Sequence, residues 1–222
     1  MSQSILPTLT ATPATVQTQQ MQMSYEAFLA WEHDGIAEWV NGTVFLMSVK
    51  QEHQRIVDFL NALLRLFVKL SGLGTVITAP YVMRVKPAAP GREPDLMFIA
   101  QANLARLTSE QLNGPADLVI EVISDESVNR DRVEKFEEYE DAGVREYWLI
   151  DSRPNRQRAD FYVLNEKGRY RAMPIEDDQI YRSTLLPNFW LNVNWLWEQD
   201  PDVLTAFAAV VGPDAVIRAL KK

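Results

Sequence analysis

The chain has 222 residues, 47% of them hydrophobic and 10% aromatic, enough to fill the core of one sizeable domain. A net charge of −8 repels polyanions, which excludes tight nucleic-acid binding through charge alone unless a cation or a separate basic patch intervenes. With no cysteine there are no disulfides, thiolate metal sites or cysteine nucleophile, and no stretch approaches the ~18 apolar residues of a membrane span, so no membrane association is expected and a reducing cytoplasm is the expected location.

In chain order, residues 1–22 are rich in Thr, Gln, Ala and Pro, lack a basic start and a compact apolar segment, and read as a disordered leader before a single domain over 23–222. "MSYEAFLAWEHDG" predicts a helix with Ser24 as N-cap and Gly35 as stop, and "AEWVNGTVFLMS" predicts a hairpin around Asn41-Gly42. From Glu52 to Gly72, the stripe Ile56, Leu60, Leu63, Leu64, Phe67 and Leu70 marks the best-defined helix. "TVITAPYVMRVK" (75–86) and "DLMFIA" (95–100) read as strands separated by the loop "PAAPGREP", and "ADLVIEVIS" reads as a strand covered on both faces. A charged helix over "VNRDRVEKFEEYEDAG", stopped by Gly143, leads into the strand "REYWLID", and this order suggests a right-handed βαβ crossover. "RADFYVL", "GRYRAMPI" and "RSTLLP" are further strands before a Trp-rich end and a short helix near 200–220.

Glu121 is the anomaly, since it interrupts an apolar strand where an ionised carboxylate must be paired, hydrogen-bonded or bound to a metal. Pro94-Asp95 opens a strand at a loop exit, and Lys135 lies on the following helix with Asp131 and Tyr139 at i, i+4 and i+8. If the two strands are neighbours, Asp95 and Glu121 can share one divalent ion. Hard Mg²⁺ is typically held by one or two carboxylates with waters and a substrate phosphate, and such an ion serves phosphodiester hydrolysis, with a nearby ammonium adding charge stabilisation. Duller readings stand beside this one. Asp95 fits a turn or strand-entry residue, Lys135 fits an exposed pair with Asp131, and Glu121 fits a structural ion pair with an arginine. The stretch Glu121 to Glu146 carries ten acidic against four basic residues, which suits either cation attraction or a solvated acidic helix face.

The segments "PDLMFIA", "GPADLVIEVISDES", "DRVEKFEEYEDAGVREYWLID" and "LLPNFWLNVNWLW", in this order and spacing, resemble the Uma-two family of endonucleases within the PD-(D/E)xK superfamily. The resemblance runs from about Tyr25 to Trp197. It implies an α/β, restriction-endonuclease-like core, a central mixed β-sheet flanked by helices with an N-terminal helix and hairpin. It also implies hydrolysis of nucleic-acid phosphodiester bonds, DNA foremost, with Mg²⁺ as cofactor and Mn²⁺ as a substitute. By position, Asp95 and Glu121 match the motif carboxylates as metal ligands, with the backbone carbonyl of Val122 as a third. The motif lysine falls on Ile123, a departure for which Lys135 on the next helix is the matching replacement. Glu38 in "AEWVNG" matches a further family acid, against the alternative of a hairpin carboxylate facing water. His53 matches a histidine at the start of the long helix, as a phosphate contact or a group behind the ligands.

No GxxxxGK[ST] loop, GxGxxG, GxSxG elbow or HExxH is present. Trp190, Trp195 and Trp197 sit among Leu and Val and read as a core lid or subunit contact. Arg153, Arg156 and Arg158 form one basic cluster, while Arg84, Lys86 and Arg92 precede the candidate site, where Arg92 is the nucleic-acid-binding candidate. A catalytically silent module of the same fold, binding a protein or nucleic-acid partner, is the alternative that Ile123 and the acidic balance motivate. A homodimer is expected, with "LTAFAAVVG" as a candidate interface.

Overall fold

The computed structural model describes residues 19–33, 35–47, 50–123 and 130–221. Its elements in chain order begin with β1 (Gln19–Gln22), α1 (Tyr25–Leu29), β2 (Ile36–Val40), β3 (Thr43–Met47) and α2 (Gln51–Ser71). Next come β4 (Gly74–Thr78), β5 (Val82–Arg84), β6 (Leu96–Ala100), β7 (Gln111–Asn113), β8 (Leu118–Ile123), α3 (Lys135–Ala142) and β9 (Glu146–Asp151). The chain closes with β10 (Arg158–Leu164), β11 (Tyr170–Met173), β12 (Ile180–Arg182), β13 (Trp190–Asn192), α4 (Val203–Val211) and α5 (Pro213–Leu220).

A six-stranded sheet in the order β11-β10-β9-β8-β6-β4 forms the centre. It is mixed, because β8 and β9 run parallel around α3 while the other neighbours are antiparallel. The two central strands are fully buried, which is why they read as continuous apolar runs. Alternation then divides them. Leu118, Ile120 and Val122 join Trp148 and Ile150 in the larger core beneath α2, whereas Val119 and Ile123 join Tyr147, Leu149 and Tyr139 of α3 in a second core. A smaller three-stranded sheet, β1-β3-β2, packs its own cluster of Tyr25, Phe28, Ala37, Val44 and Val82.

Several expectations hold in detail. Ser24 caps α1 by accepting from the Ala27 N–H at 3.1 Å, Asn41 and Gly42 take φ of 50° and 89° in the hairpin turn, and Gly72 and Gly143 end their helices in the left-handed region at 65° and 83°. Among the described residues no single helix is long and apolar enough to cross a membrane.

The differences have local causes. Residues 19–22 of the expected leader form β1 against β3, while residues 1–18 lie outside the described residues. Helix α1 stops at Leu29, where Trp31 and His33 stack at 4.5 Å and fold back on Phe28. The single strand expected over 75–86 breaks at Pro80, which lacks a ladder N–H, and the chain resumes as β5 paired with β7. Leu70 is 38% exposed, because the buried stripe of α2 runs out at Phe67 and Val68. "RSTLLP" is not a strand beyond Arg182; Ser183 to Leu185 instead wrap the buried Glu146 carboxylate. Only 130–142 of the charged helix are described, as a π-helical turn over Arg130–Glu134 followed by α3. The terminal helix is two, broken at Gly212 and Pro213.

Candidate functional site

Antiparallel register sets Leu96 of β6 opposite Ile120 of β8, so one step further along the same register Asp95 faces Glu121. Both then share the sheet face of Met97, Val119 and Ile123. Burial is nearly complete, 5% exposure for Asp95 and 3% for Glu121, and each carboxylate is held by a different set of donors. Asp95 Oδ2 accepts from the Val122 N–H at 2.7 Å and stands 3.1 Å from His53 Nε2, which the first turn of α2 supplies.

Glu121 answers to α3. Lys135 opens that helix with its ammonium buried at 2% exposure, and its Nζ lies 3.0 Å from Glu121 Oε1 and 2.7 Å from Glu38 Oε1. One turn on, Tyr139 donates to the same Glu121 oxygen at 2.8 Å. Burial first, then the charges of Glu121 and Glu38, hold the Tyr139 hydroxyl well above its ordinary pKa, so it remains a donor.

Glu38 reaches this cluster from the smaller sheet. Trp39 of β2 exchanges two backbone hydrogen bonds of 2.9 Å with Gly91, which aligns the loop so that Ala37 N–H meets Glu93 Oε2 at 2.8 Å and Arg92 meets Glu38 Oε2 at 3.0 Å. Gly91 is required by space, since a Cβ there would stand 2.8 Å from the Tyr25 ring. Arg92 also forks onto Glu138 of α3 at 2.6 and 2.9 Å. Its burial opposes the charge, but Glu138 and Glu38 outweigh that and raise its pKa above the ordinary value. Three carboxylates, one ammonium and one guanidinium therefore form a continuous chain, Glu121–Lys135–Glu38–Arg92–Glu138.

The model of the Uma2 family, described as "Putative restriction endonuclease", matches residues 25–194. The chain belongs to the Uma2 family. A solved structure titled as a putative nuclease belonging to DUF820, from Anabaena variabilis ATCC 29413, shares the fold with a TM-score of 0.61 at 16% identity, covering 78% of this chain and 96% of that one. No curated protein matches. The Uma2 assignment makes this a member of a restriction-endonuclease-like nuclease family, and the mixed six-stranded sheet flanked by helices is the fold that goes with it.

The residues expected at the site are thus distributed in two adjoining groups. Glu38, Glu121 and Lys135 meet directly; Asp95, His53 and the backbone of Val122 form the second group beside them. Ile123, where the resemblance sets the motif lysine, is wholly buried in the α3-side core, and the ammonium beside Glu121 comes from Lys135 of α3. Lys135 does not rest on a solvated helix face, and the Asp131 side chain lies outside the described residues. Arg92, expected as a contact to nucleic acid, is 2% exposed and engaged by Glu38 and Glu138 inside the site. Arg84 stacks 3.4 Å over the Tyr25 ring, while Arg153 and Arg158 are paired with Asp151 and Asp160. Trp195 and Trp197 pack, partly buried, against the larger core.

Sequence reasoning missed Glu138 and Glu93. Glu138 lies three residues after Lys135, a helical spacing that could have singled it out. Glu93, between Arg92 and Pro94, carried no pattern; its carboxyl is pushed up to about 7 by burial, with the Ala37 N–H opposing and the Glu38 charge adding. Among the described residues, no three His, Asp or Glu side chains converge as a ready metal cage.

Proposed function

We propose that this chain is a Mg²⁺-dependent endonuclease that hydrolyses phosphodiester bonds of DNA, with Asp95 and Glu121 as the metal-holding carboxylates, the carbonyl of Val122 as a third ligand and Lys135 as the ammonium of the site. The observation that carries the reading is Lys135 Nζ at 3.0 Å from Glu121 Oε1, an ammonium brought by a helix to the strand whose own lysine position is Ile123. The donor set suits a hard divalent ion: two buried carboxylates opposed across β6 and β8 match the one or two that Mg²⁺ takes alongside waters and a phosphate. When bound there, the ion supplies charge neutralisation at the phosphate and acidifies a water. His53 and the Val122 N–H orient the Asp95 carboxylate. Tyr139 and Lys135 together fix one oxygen of Glu121. Glu38 pairs with Lys135 at 2.7 Å inside a buried cluster and is itself fixed by Arg92.

Cleavage of plasmid and linear DNA in Mg²⁺, with Mn²⁺ in parallel, by the wild type, Asp95→Ala and Glu121→Ala tests this assignment. Activity is expected only in the wild type. Equal activity in all three overturns it. The alternative, a silent module of the same fold, draws support from the double engagement of Lys135 by Glu38 and Glu121, which leaves the ammonium strongly compensated. Calorimetric titration with Mn²⁺ separates the two: heat abolished by Glu121→Ala supports the enzyme, and no heat in the wild type supports the module.

A further inference from the structure

Beside Asp95 lies a cavity of about 370 Å³ that the nuclease chemistry above does not use. It is framed by His33, the start of β2, one face of α2 from His53 to Asn61, and the chain from Thr78 to Pro80. Ile36, Val57, Ala79 and Pro80 supply apolar walls, and among the described residues the lining contains neither lysine nor arginine. Asn61 Oδ1 is buried on it with no hydrogen-bond partner, and His33 Nε2 has only Glu93 Oε1 near it, 3.8 Å away and beyond hydrogen-bond reach. His33 Nδ1 lies 3.1 Å from the Trp31 carbonyl, which places the proton of the neutral ring on Nδ1 and leaves Nε2 as an acceptor.

From these features we infer that the cavity is a subsite for one nucleobase of the substrate, selective for adenine or cytosine over thymine or uracil. The inference rests on the nuclease reading for its biological setting, but each element of it is chemical. The volume lies at the low end of pockets for small molecules, enough for one base and not for a helix. Without a cation and with Asp58 and Asp95 on its wall, it disfavours a phosphate and favours a neutral ring. Its unfilled groups are acceptors, so the ring that fits must donate. Adenine and cytosine offer an amino group, whereas the carbonyl-rich edge of thymine or uracil would set acceptor against acceptor. Asp95 lines the cavity as well as the site, so a phosphate held near that carboxylate carries its neighbouring base to the cavity mouth. In a duplex the base must leave the stack to enter, and in a single strand it is already free.

The chain has two histidines and both line this cavity, so their ring signals report on it directly. The full chain in EDTA is titrated with adenosine, cytidine, thymidine and uridine while the ring resonances of His33 and His53 are followed by NMR. Adenosine and cytidine are expected to shift both rings with an affinity at least ~10-fold above thymidine and uridine, the discrimination typical of one well-placed polar contact. Asn61→Leu is expected to remove that preference, and Asn61→Ala, which keeps the helix, serves if the leucine variant fails to fold. No shift with any nucleoside, or equal shifts with all four, overturns the proposal. Because metal is absent, this readout is independent of DNA cleavage, and the Asp95→Ala and Glu121→Ala comparison fails or succeeds separately. Cleavage of single-stranded and duplex oligonucleotides of matched sequence then distinguishes a free base from a flipped one.

Discussion

Glu121 and Glu146 lie on neighbouring parallel strands, both shut away from water, but on opposite faces and in surroundings of different kind. Glu146, under α2, accepts from Trp148 Nε1 and the Tyr181 hydroxyl at 2.8 Å, from the hydroxyls of Ser183 and Thr184 at 3.1 Å, and from the N–H groups of Thr184 and Leu185 at 3.1 and 3.0 Å. All these partners are neutral, and together they saturate its lone pairs. Glu121, under α3, shares its Oε1 between a lysine ammonium and a tyrosine hydroxyl, inside a chain of alternating charges. A buried carboxylate is therefore not by itself a site. One that is locked by neutral donors staples loops to a strand; one balanced by a paired cation can exchange that balance for a substrate or an ion.

The contrast can be broken by exchange of the two residues' fates. The largest effect expected is on folding: Glu146→Ala strands several buried donors and should cost at least ~3 kcal/mol in urea unfolding, and a loss below ~1 kcal/mol would refute the staple. Next is activity. Glu121→Gln should lower DNA cleavage ~100-fold or more while moving Tm by only a few degrees. If instead its main effect is on Tm, the two glutamates are of one kind.

Glu93 sharpens the comparison through pH. Its carboxyl is raised to about 7 from the ordinary 4.5, chiefly by burial, so the folded state binds the proton more tightly than the unfolded chain. That contribution to stability is full below the ordinary value and is lost as pH rises through about 7. Glu93→Gln, whose amide oxygen can still accept from Ala37, should therefore gain on the wild type by up to ~3 kcal/mol between pH 4.5 and 8 in denaturant melts. Parallel curves for the two proteins would contradict the shift. The smallest effect belongs to Arg158, whose side chain is 67% exposed and paired with Asp160. Arg158→Ala should change cleavage by less than about twofold, and a larger loss would reinstate the basic cluster as a nucleic-acid contact.

Much of the frame could be read along the chain because its signals are local. The period of α2, the Asn41-Gly42 turn and the doubly buried β8 and β9 each depend on residues within one element. Glu121 announced itself for the same reason, as one charge in an apolar run. The partners of that charge were less legible. Lys135 had a nearer partner in Asp131 by helical spacing, and Glu38 joins it only because a strand 97 residues earlier is pinned to the loop before Asp95. Arg92 read as a contact to nucleic acid because it precedes the candidate site, yet Glu38 and Glu138, from two other elements, enclose it. The turn around Glu146 is likewise set by tertiary contacts, which overrode a plausible local β pattern.

The attachment of Trp39 to Gly91 gives the molecule a joint. Glu38 hangs from the small sheet, whereas Asp95 and Glu121 belong to the large one, and two backbone hydrogen bonds hold the seam between them. Parting that seam would carry Glu38 away from Lys135 while the six-stranded framework kept its own pairing, so the balance of charge around the deepest acids is set at a distance, by the backbone at Gly91.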